Sequence, residues 1–456
     1  MCKFGQTTGP KQFLTMAVLL CAVVAPVASV CAQEDAASAH TPDDEAATKP
    51  VSGPSADVQP YDVWTTRYLT GDWGGARTRM EDNGISLQLV SHTQFMVNMH
   101  GGLETKNGND FAASYNLELG FDLDKMGLVS GAEFVFEAKG TSGGEISDFD
   151  KEKIGALFKT NADAKEEEPI FLDKWWWRQR LSNGRIEFRL GRIETEKDLF
   201  DVNSVAGHED KQFMNKALVV NPTIPHKLSL GAYVVLYPTD WMYVKAAIMD
   251  PEARDRRTGF DTAFHGPDRA QVFCELGLTP ELDAAKGKLK GRYLVGSWYD
   301  PGPKEVFFDA LDGARAKRYR NEDVGIYFGF EQLVWKENDN LKDKQGLSIF
   351  GRYGYAHGDI NLIEHFWSTG GQYAGLIPSR DEDILGFGVA QAILSDQYRD
   401  EIHSRADRET VYELYYAYHV TPWCIISPDF QYVVNAGGDK DSRHATVAGL
   451  RLQVAF

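Results

Sequence analysis

The stretch Ala445-Thr446-Val447-Ala448-Gly449-Leu450-Arg451-Leu452-Gln453-Val454-Ala455-Phe456 decides how the rest of the chain is read. Ala448, Leu450, Leu452, Val454 and Phe456 alternate with Gly449, Arg451, Gln453 and Ala455. Side chains of an extended strand point to opposite faces with period two, so one face of this segment is apolar and the other polar. The same period recurs upstream. Tyr115, Leu117, Leu119, Phe121 and Leu123 alternate with Asn116, Glu118, Gly120 and Asp122. Ala132, Phe134, Phe136 and Ala138 alternate with Glu133, Val135 and Glu137, and Ile85, Leu87, Leu89, Phe95, Val97 and Met99 face away from Ser86, Gln88, His92, Gln94 and Asn98. Carried through the chain, the pattern predicts sixteen strands: 85–99, 114–123, 129–139, 171–182, 185–193, 226–237, 241–250, 269–279, 289–299, 322–335, 347–356, 362–376, 384–394, 410–420, 424–434 and 445–456.

An even number of strands places both ends of the array on one side. The connections tend to alternate in length. Long ones cover 140–170, 194–225, 251–268, 300–321 and 395–409, and short ones include Asn183-Gly184, Pro238-Thr239-Asp240 and Thr421-Pro422-Trp423. Short turns at one end and longer loops at the other are the pattern of a transmembrane barrel. The segments 100–113, 357–361 and 435–444 are only modest outer loops, and 336–346 is a long inner one. A large soluble β-sandwich remains the alternative, although it has no reason to collect its long loops at one end.

Targeting signals agree with a membrane destination. Lys3 and Lys11 precede an uncharged apolar run from Phe13 to Val30, and Ser29-Val30-Cys31-Ala32 predicts cleavage before Gln33. Residues 1–32 thus read as a secretory signal peptide. Cys31 as a lipoprotein cysteine is the lesser alternative, since Val30 stands where a smaller residue is usual. No later run of about 18 apolar residues could form a spanning helix. A chain that crosses a membrane without such a run does so as a closed barrel, whose backbone groups pair between strands. Residues 33–60, rich in Ala, Asp, Pro and Ser, read as a disordered leader. Residues 61–84 read as a periplasmic lead-in segment, with one or two helical turns from Ala76 to Asn83 stopped at Gly84. The barrel occupies 85–456.

Without the signal, Lys and Arg fall from 48 to 46 against 66 acids, a net charge of −20. That balance excludes nucleic acid as a partner. Of five cysteines only Cys274 and Cys424 follow the signal, too few for a disulfide framework, and both are expected to be free.

The terminal strand ending on Phe456 is similar to the signal read by the outer-membrane barrel assembly machinery. Tyr412, Tyr416 and Tyr418 share a face of their strand and Trp423 sits at its turn, as aromatic rings do where lipid meets water. Three further stretches carry a family resemblance. They are Leu69-Thr70-Gly71-Asp72-Trp73-Gly74-Gly75-Ala76-Arg77 running on to Asp82-Asn83-Gly84-Ile85; Tyr373-Ala374-Gly375-Leu376-Ile377-Pro378-Ser379-Arg380 with Asp383-Ile384-Leu385-Gly386; and Glu413-Leu414-Tyr415-Tyr416 with Pro428-Asp429-Phe430-Gln431-Tyr432. In this order, from about residue 64 to the last, they resemble the OprB carbohydrate-selective porins. The resemblance implies an all-β fold, a sixteen-stranded antiparallel transmembrane β-barrel of the outer-membrane porin type. It also implies passive diffusion of glucose and other small carbohydrates across the outer membrane of a Gram-negative bacterium. Expected partners are small sugars, outer-membrane lipid and lipopolysaccharide, and the assembly machinery through Phe456; the protein is a monomer or homotrimer. The acidic run Lys165-Glu166-Glu167-Glu168 and the leader match no family pattern.

A sugar channel needs a narrow polar waist and an aromatic face for the apolar side of a pyranose. Carboxylates accept hydrogen bonds from hydroxyls, and arginine donates through a fixed fork. The Asn183-Gly184 hairpin places such residues. A two-residue Asn-Gly turn fixes register, so that Ser182 faces Arg185, Leu181 faces Ile186, Arg180 faces Glu187, Gln179 faces Phe188 and Arg178 faces Arg189. Leu181, Ile186, Phe188 and Leu190 then meet lipid, with Trp175 and Trp177. Trp176, Arg178, Arg180, Glu187 and Arg189 point into the lumen. Arg180 and Arg178 stand roughly 10–16 Å above the turn at about 3.3 Å per residue, near the middle of an apolar band about 25 Å tall. The facing pair Arg178 and Arg189 calls for a carboxylate, and Glu118 and Glu133 on the preceding strands are the nearest. This wall is the predicted sugar-binding constriction; a merely solvated, salt-bridged lumen wall is the bland alternative. Glu413, Arg352 and Arg451 also face inward, without a rank.

Nothing else competes strongly. His357, His365 and His403 lack metal-ligand spacing and read as loop or wall residues. Arg254-Asp255-Arg256-Arg257 reads as a solvated loop. No G-x-S-x-G nucleophile motif is present, so the chain is read as no enzyme and as needing no cofactor. A general or charged-solute porin, and a non-transport barrel serving as an enzyme or adhesin, remain as alternatives.

Overall fold

The computed structural model describes residues 61–143, 149–163, 168–207, 212–225, 228–251, 269–307, 318–340, 344–402 and 407–456. The signal peptide, the leader, Lys165 to Glu167, Arg254 to Arg257 and His403 lie outside the described residues.

Sixteen antiparallel strands close on themselves. They are β1 (Ile85–His100), β2 (Asn109–Asp122), β3 (Ala132–Gly143), β4 (Glu168–Leu181), β5 (Ile186–Glu194), β6 (Leu228–Thr239), β7 (Met242–Met249), β8 (Gln271–Leu278), β9 (Gly287–Asp300), β10 (Asp323–Lys336), β11 (Gly346–Ala356), β12 (Ile363–Ala374), β13 (Ile384–Leu394), β14 (Arg408–Thr421), β15 (Cys424–Val434) and β16 (Ala445–Ala455). Each pairs with its neighbours in sequence, and β1 pairs with both β2 and β16, from Val90 opposite Ala455 to Val97 opposite Ala448. Closure leaves no edge strand, so backbone groups are paired around the ring.

All sixteen predicted strands are present, and the departures have local causes. β2 begins at Asn109 rather than 114, because Ala112, Ala113 and Ser114 blur the alternation while Phe111 still faces outward. β3 begins at Ala132 rather than 129, because the chain from Leu123 turns through Gly127 and Gly131, both with left-handed φ. Three short features escaped the period-two reading. Glu281–Ala284 pairs with the start of β9, Lys304–Glu305 pairs with Tyr319–Arg320 in an outer loop, and Asp396–Ile402 is a helix.

Inside and outside follow the alternation. On β16 Leu450 is 49% exposed and Leu452 37%, whereas Arg451 is 1% exposed and Gln453 6%. On β1 Phe95 and Met99 are exposed while His92, Gln94 and Asn98 are buried. Tyr412 and Tyr418 are exposed with Leu414, and Tyr416 lies near Tyr418 on that face. An apolar exterior around a polar interior is how a barrel meets lipid. Cys274 and Cys424 are free, and no described helix is long and apolar enough to cross a membrane.

Two of the motif stretches explain themselves here. Arg380 grips Asp383 with Nε at 2.8 Å and Nη2 at 2.7 Å, in the turn between β12 and β13. Asp383 also accepts the Tyr416 hydroxyl at 2.6 Å and the His419 N–H at 2.8 Å, so the turn is tied to β14. Burial pushes the Asp383 carboxyl up, but the hydrogen bonds from Arg380, Tyr416 and His419 outweigh it and hold the group below its ordinary range. A depressed carboxylate contributes stability above its unfolded pKa and loses it as pH falls through the folded value. Asp383→Asn should therefore cost stability at pH 7 and flatten the acid limb below about pH 4; urea unfolding of reconstituted protein across pH checks this, and parallel pH profiles for both proteins would refute it.

The other stretch is the lead-in. Helix α1 (Ala76–Asp82) ends before Gly84, which has a left-handed φ of 84°. Arg77 is buried, its guanidinium 3.7 Å from the Tyr68 ring centroid and 4.3 Å from that of Trp73, and Nη2 donates to the Phe456 carbonyl at 2.9 Å. Leu69 N–H donates to Ala455 and Trp423 Nε1 to Val63. The segment thus lies across the junction of β16 with β1.

Candidate functional site

The hairpin after β4 has the predicted register throughout. Leu181 faces Ile186, Arg180 faces Glu187, Gln179 faces Phe188 and Arg178 faces Arg189. Asn183 and Gly184 both take left-handed φ, as the turn requires, and Ser182 does too. Phe188 and Leu190 are exposed on the outer face, where Trp177 stands near Phe134.

The inward set comes together. Arg178 pairs with Glu133 of β3, Arg189 Nε lies 2.9 Å from Glu187, and Arg180 Nε lies 3.5 Å from the same carboxylate. Trp176 lies between two guanidiniums, with Arg189 at 5.1 Å and Arg178 at 5.7 Å from its centroid. Glu133 thus supplies the expected carboxylate for the facing arginines. Glu118 does not join this belt. It stands opposite Glu137, which stands opposite Lys174, so it belongs to a second charge group one step higher on the wall.

Two inward-folded loops narrow the lumen, and neither was predicted. The chain between β5 and β6, residues 195–225, crosses the interior. Its Leu199, Phe200, Phe213, Met214, Ala217 and Leu218 are fully buried. Phe200 stacks on Phe273 of β8 at 5.3 Å, and Phe213 meets Tyr415 of β14 edge-on at 4.9 Å. The chain between β3 and β4 joins it: Ala162 N–H donates to Met214, and Lys216 N–H donates to Lys159. Lys139 Nζ holds Asp163 of that loop at 2.6 Å.

This seating explains the unranked inward residues. Glu413 accepts N–H groups from Met214 and Asn215. Arg352 donates to the Leu218 and Val219 carbonyls at 2.9 and 3.0 Å, and Arg451 donates to the Gln212 carbonyl at 3.0 Å. They anchor the loop rather than line an open channel. A Cβ on Gly354 of β11 would overlap Thr223 and Asn221 of the loop, so the wall is notched where the loop lies against it.

The loops leave the wall of β2 to β5 differently placed. Its lower inward side chains, Glu118, Glu133, Trp176, Arg178, Arg180 and Arg189, keep partial exposure, with Arg180 at 34%. The sequence also missed Tyr233 and Tyr237 on β6. Both are on the inward face by register, and Arg189 lies 5.8 Å from the Tyr233 centroid. Arg292 and Glu331, paired at 2.6 Å on β9 and β10, were missed as well; Glu331 also accepts the Ser204 N–H of the loop. Their signal was present, since both sit on inward positions of alternating strands. Among the described residues no group of His, Cys, Asp and Glu is arranged to hold a metal.

A closed barrel with a polar interior, narrowed by loops packed against its inner wall, defines a porin-type channel. The chain matches the carbohydrate-selective porin family OprB over residues 106–456 and belongs to that family. It is 24% identical over 426 residues to Porin B of Pseudomonas aeruginosa, covering 86% of this chain and 92% of that protein. It is also 24% identical over 438 residues to the putative porin QuiX of Acinetobacter baylyi, covering 87% and 95%. The fold is similar to the high-pH structure of Pseudomonas putida OprB, with a TM-score of 0.77, 22% identity, and 86% of this chain and 99% of that one covered.

Proposed function

We propose that the protein passes small sugars such as glucose by passive diffusion across the outer membrane of a Gram-negative bacterium, selecting them at the belt of Glu133, Trp176, Arg178, Arg180, Glu187 and Arg189. The observation that carries this reading is the grouping of three guanidiniums and two carboxylates around an indole on the partly exposed lower wall. A hydroxyl both donates and accepts, so a sugar can exchange its water for this belt. Guanidinium N–H groups donate to its oxygens, and Glu133 and Glu187 accept from its hydroxyls. Trp176 and Tyr237 offer ring faces to the apolar side of the pyranose. The belt is already internally paired, so the sugar competes for each contact and binding stays weak, as conduction needs.

Arg178→Ala and Glu187→Ala should each weaken glucose block of single-channel current in planar bilayers by roughly fivefold to fiftyfold, the loss of one charged hydrogen bond. Unchanged sugar block in both would sink the assignment. Equal liposome swelling by glucose and by charged solutes of the same size would favour a general porin.

A further inference from the structure

Lys174 lies on β4, two residues before Trp176 and on the same inward face. Its Nζ lies 3.1 Å from Asp198, 3.5 Å from Glu194 and 3.9 Å from Glu137. These carboxylates come from three places. Glu137 belongs to β3, Glu194 ends β5, and Asp198 sits in the first turn of the pore loop, Thr195–Leu199. That turn leads directly to Phe200, which packs on Phe273 and Tyr233. At the far end of the loop, Thr195 donates to the Pro225 carbonyl at 3.0 Å and closes its base. One cation therefore ties the loop to the strand that carries the sugar belt.

We propose that Lys174 is the positioning residue that sets the pore aperture, holding the pore loop at a fixed distance from the Trp176, Arg178 and Arg189 wall. The inference deepens the sugar-channel reading and rests on it for the sugar, but not for the aperture. Without the ammonium, Glu137, Glu194 and Asp198 face one another with no cation between them. Like charges at such separations repel strongly where water is scarce. Glu137 and Glu194 are held by their strands, so the loop turn with Asp198 is the part that moves. The gap opens, and the belt loses the opposite side against which a sugar is held.

The test uses the full chain reconstituted in planar bilayers and in liposomes. Lys174→Met should admit larger polyethylene glycols than the native channel and weaken glucose block by about tenfold, an effect of the size expected for one buried charge contact. Lys174→Arg keeps the cation and should restore both readouts to near native values. Asp198→Asn removes the loop-side charge alone and should move both readouts in the same direction by less. It also serves as the test if Lys174→Met fails to fold. An unchanged polymer cut-off in Lys174→Met, or in Asp198→Asn when the first variant does not fold, overturns the proposal. A native channel that shows no glucose block overturns the sugar reading, and the polymer cut-off still decides the role of Lys174.

Discussion

Glu413→Ala opens the channel: single-channel conductance rises severalfold and glucose block is lost, while the barrel still folds. Glu413 is 1% exposed and receives two backbone N–H groups of the pore loop, from Met214 and Asn215. Alanine leaves both donors without that partner, at a cost to the seated loop of about 2–6 kcal/mol. The barrel itself is insensitive, because Glu413 contributes to the β13–β14–β15 ladder only through its backbone. Glu413→Gln retains one acceptor oxygen and should fall between native and alanine. Gly354→Val should reach the same state by another route, since its side chain would occupy the place of Thr223 and Asn221. The check is bilayer conductance together with tryptic cleavage at Lys216, which is protected while the loop is seated. Native conductance in both variants would mean that the loop does not narrow the pore.

This prediction rests on the part of the structure that was least legible in the sequence. Strands announce themselves because lipid on one side and water on the other impose a period of two, and that period survives in single side chains such as Leu450, Arg451, Leu452 and Gln453. The hairpin at Asn183-Gly184 was legible for a related reason: a turn that demands left-handed residues fixes the pairing beyond it, so Arg178, Arg180, Glu187 and Arg189 could be placed together. The pore loop carries no such period. Its Phe200, Phe213 and Leu218 are buried against partners far away in sequence, on β8, β11, β13 and β14. An inward Glu or Arg looks the same in the sequence whether it faces water, as Arg180 does in part, or a loop backbone, as Glu413 does. The assignment of Glu118 to the belt missed for a simpler reason. Alternation gives the face of a residue, but its height depends on stagger between strands, and β2 is offset so that Glu118 aligns with Glu137 and Lys174.

The lead-in segment gives the second large effect. Arg77→Ala should lower the unfolding stability of the reconstituted protein by about 2–4 kcal/mol, combining a charged hydrogen bond with two cation–π contacts. The loss should be local to the junction of β1 and β16. Phe456 N–H donates to Leu89 at 2.8 Å on one side of that junction, and Arg77 holds the Phe456 carbonyl from the other. Tyr68 and Trp73 lie over the guanidinium and keep water from it, which strengthens the hold on Phe456. Arg77→Lys keeps the charge but loses the planar stacking on both rings, so it should recover only part of the stability. Hydrogen exchange at Leu69, Leu89 and Phe456 separates this from a general weakening. Faster exchange at those three amides, with the β8–β9 pairing unchanged, identifies the segment as a lock on barrel closure. Uniform acceleration around the barrel would instead make Arg77 an ordinary packing residue.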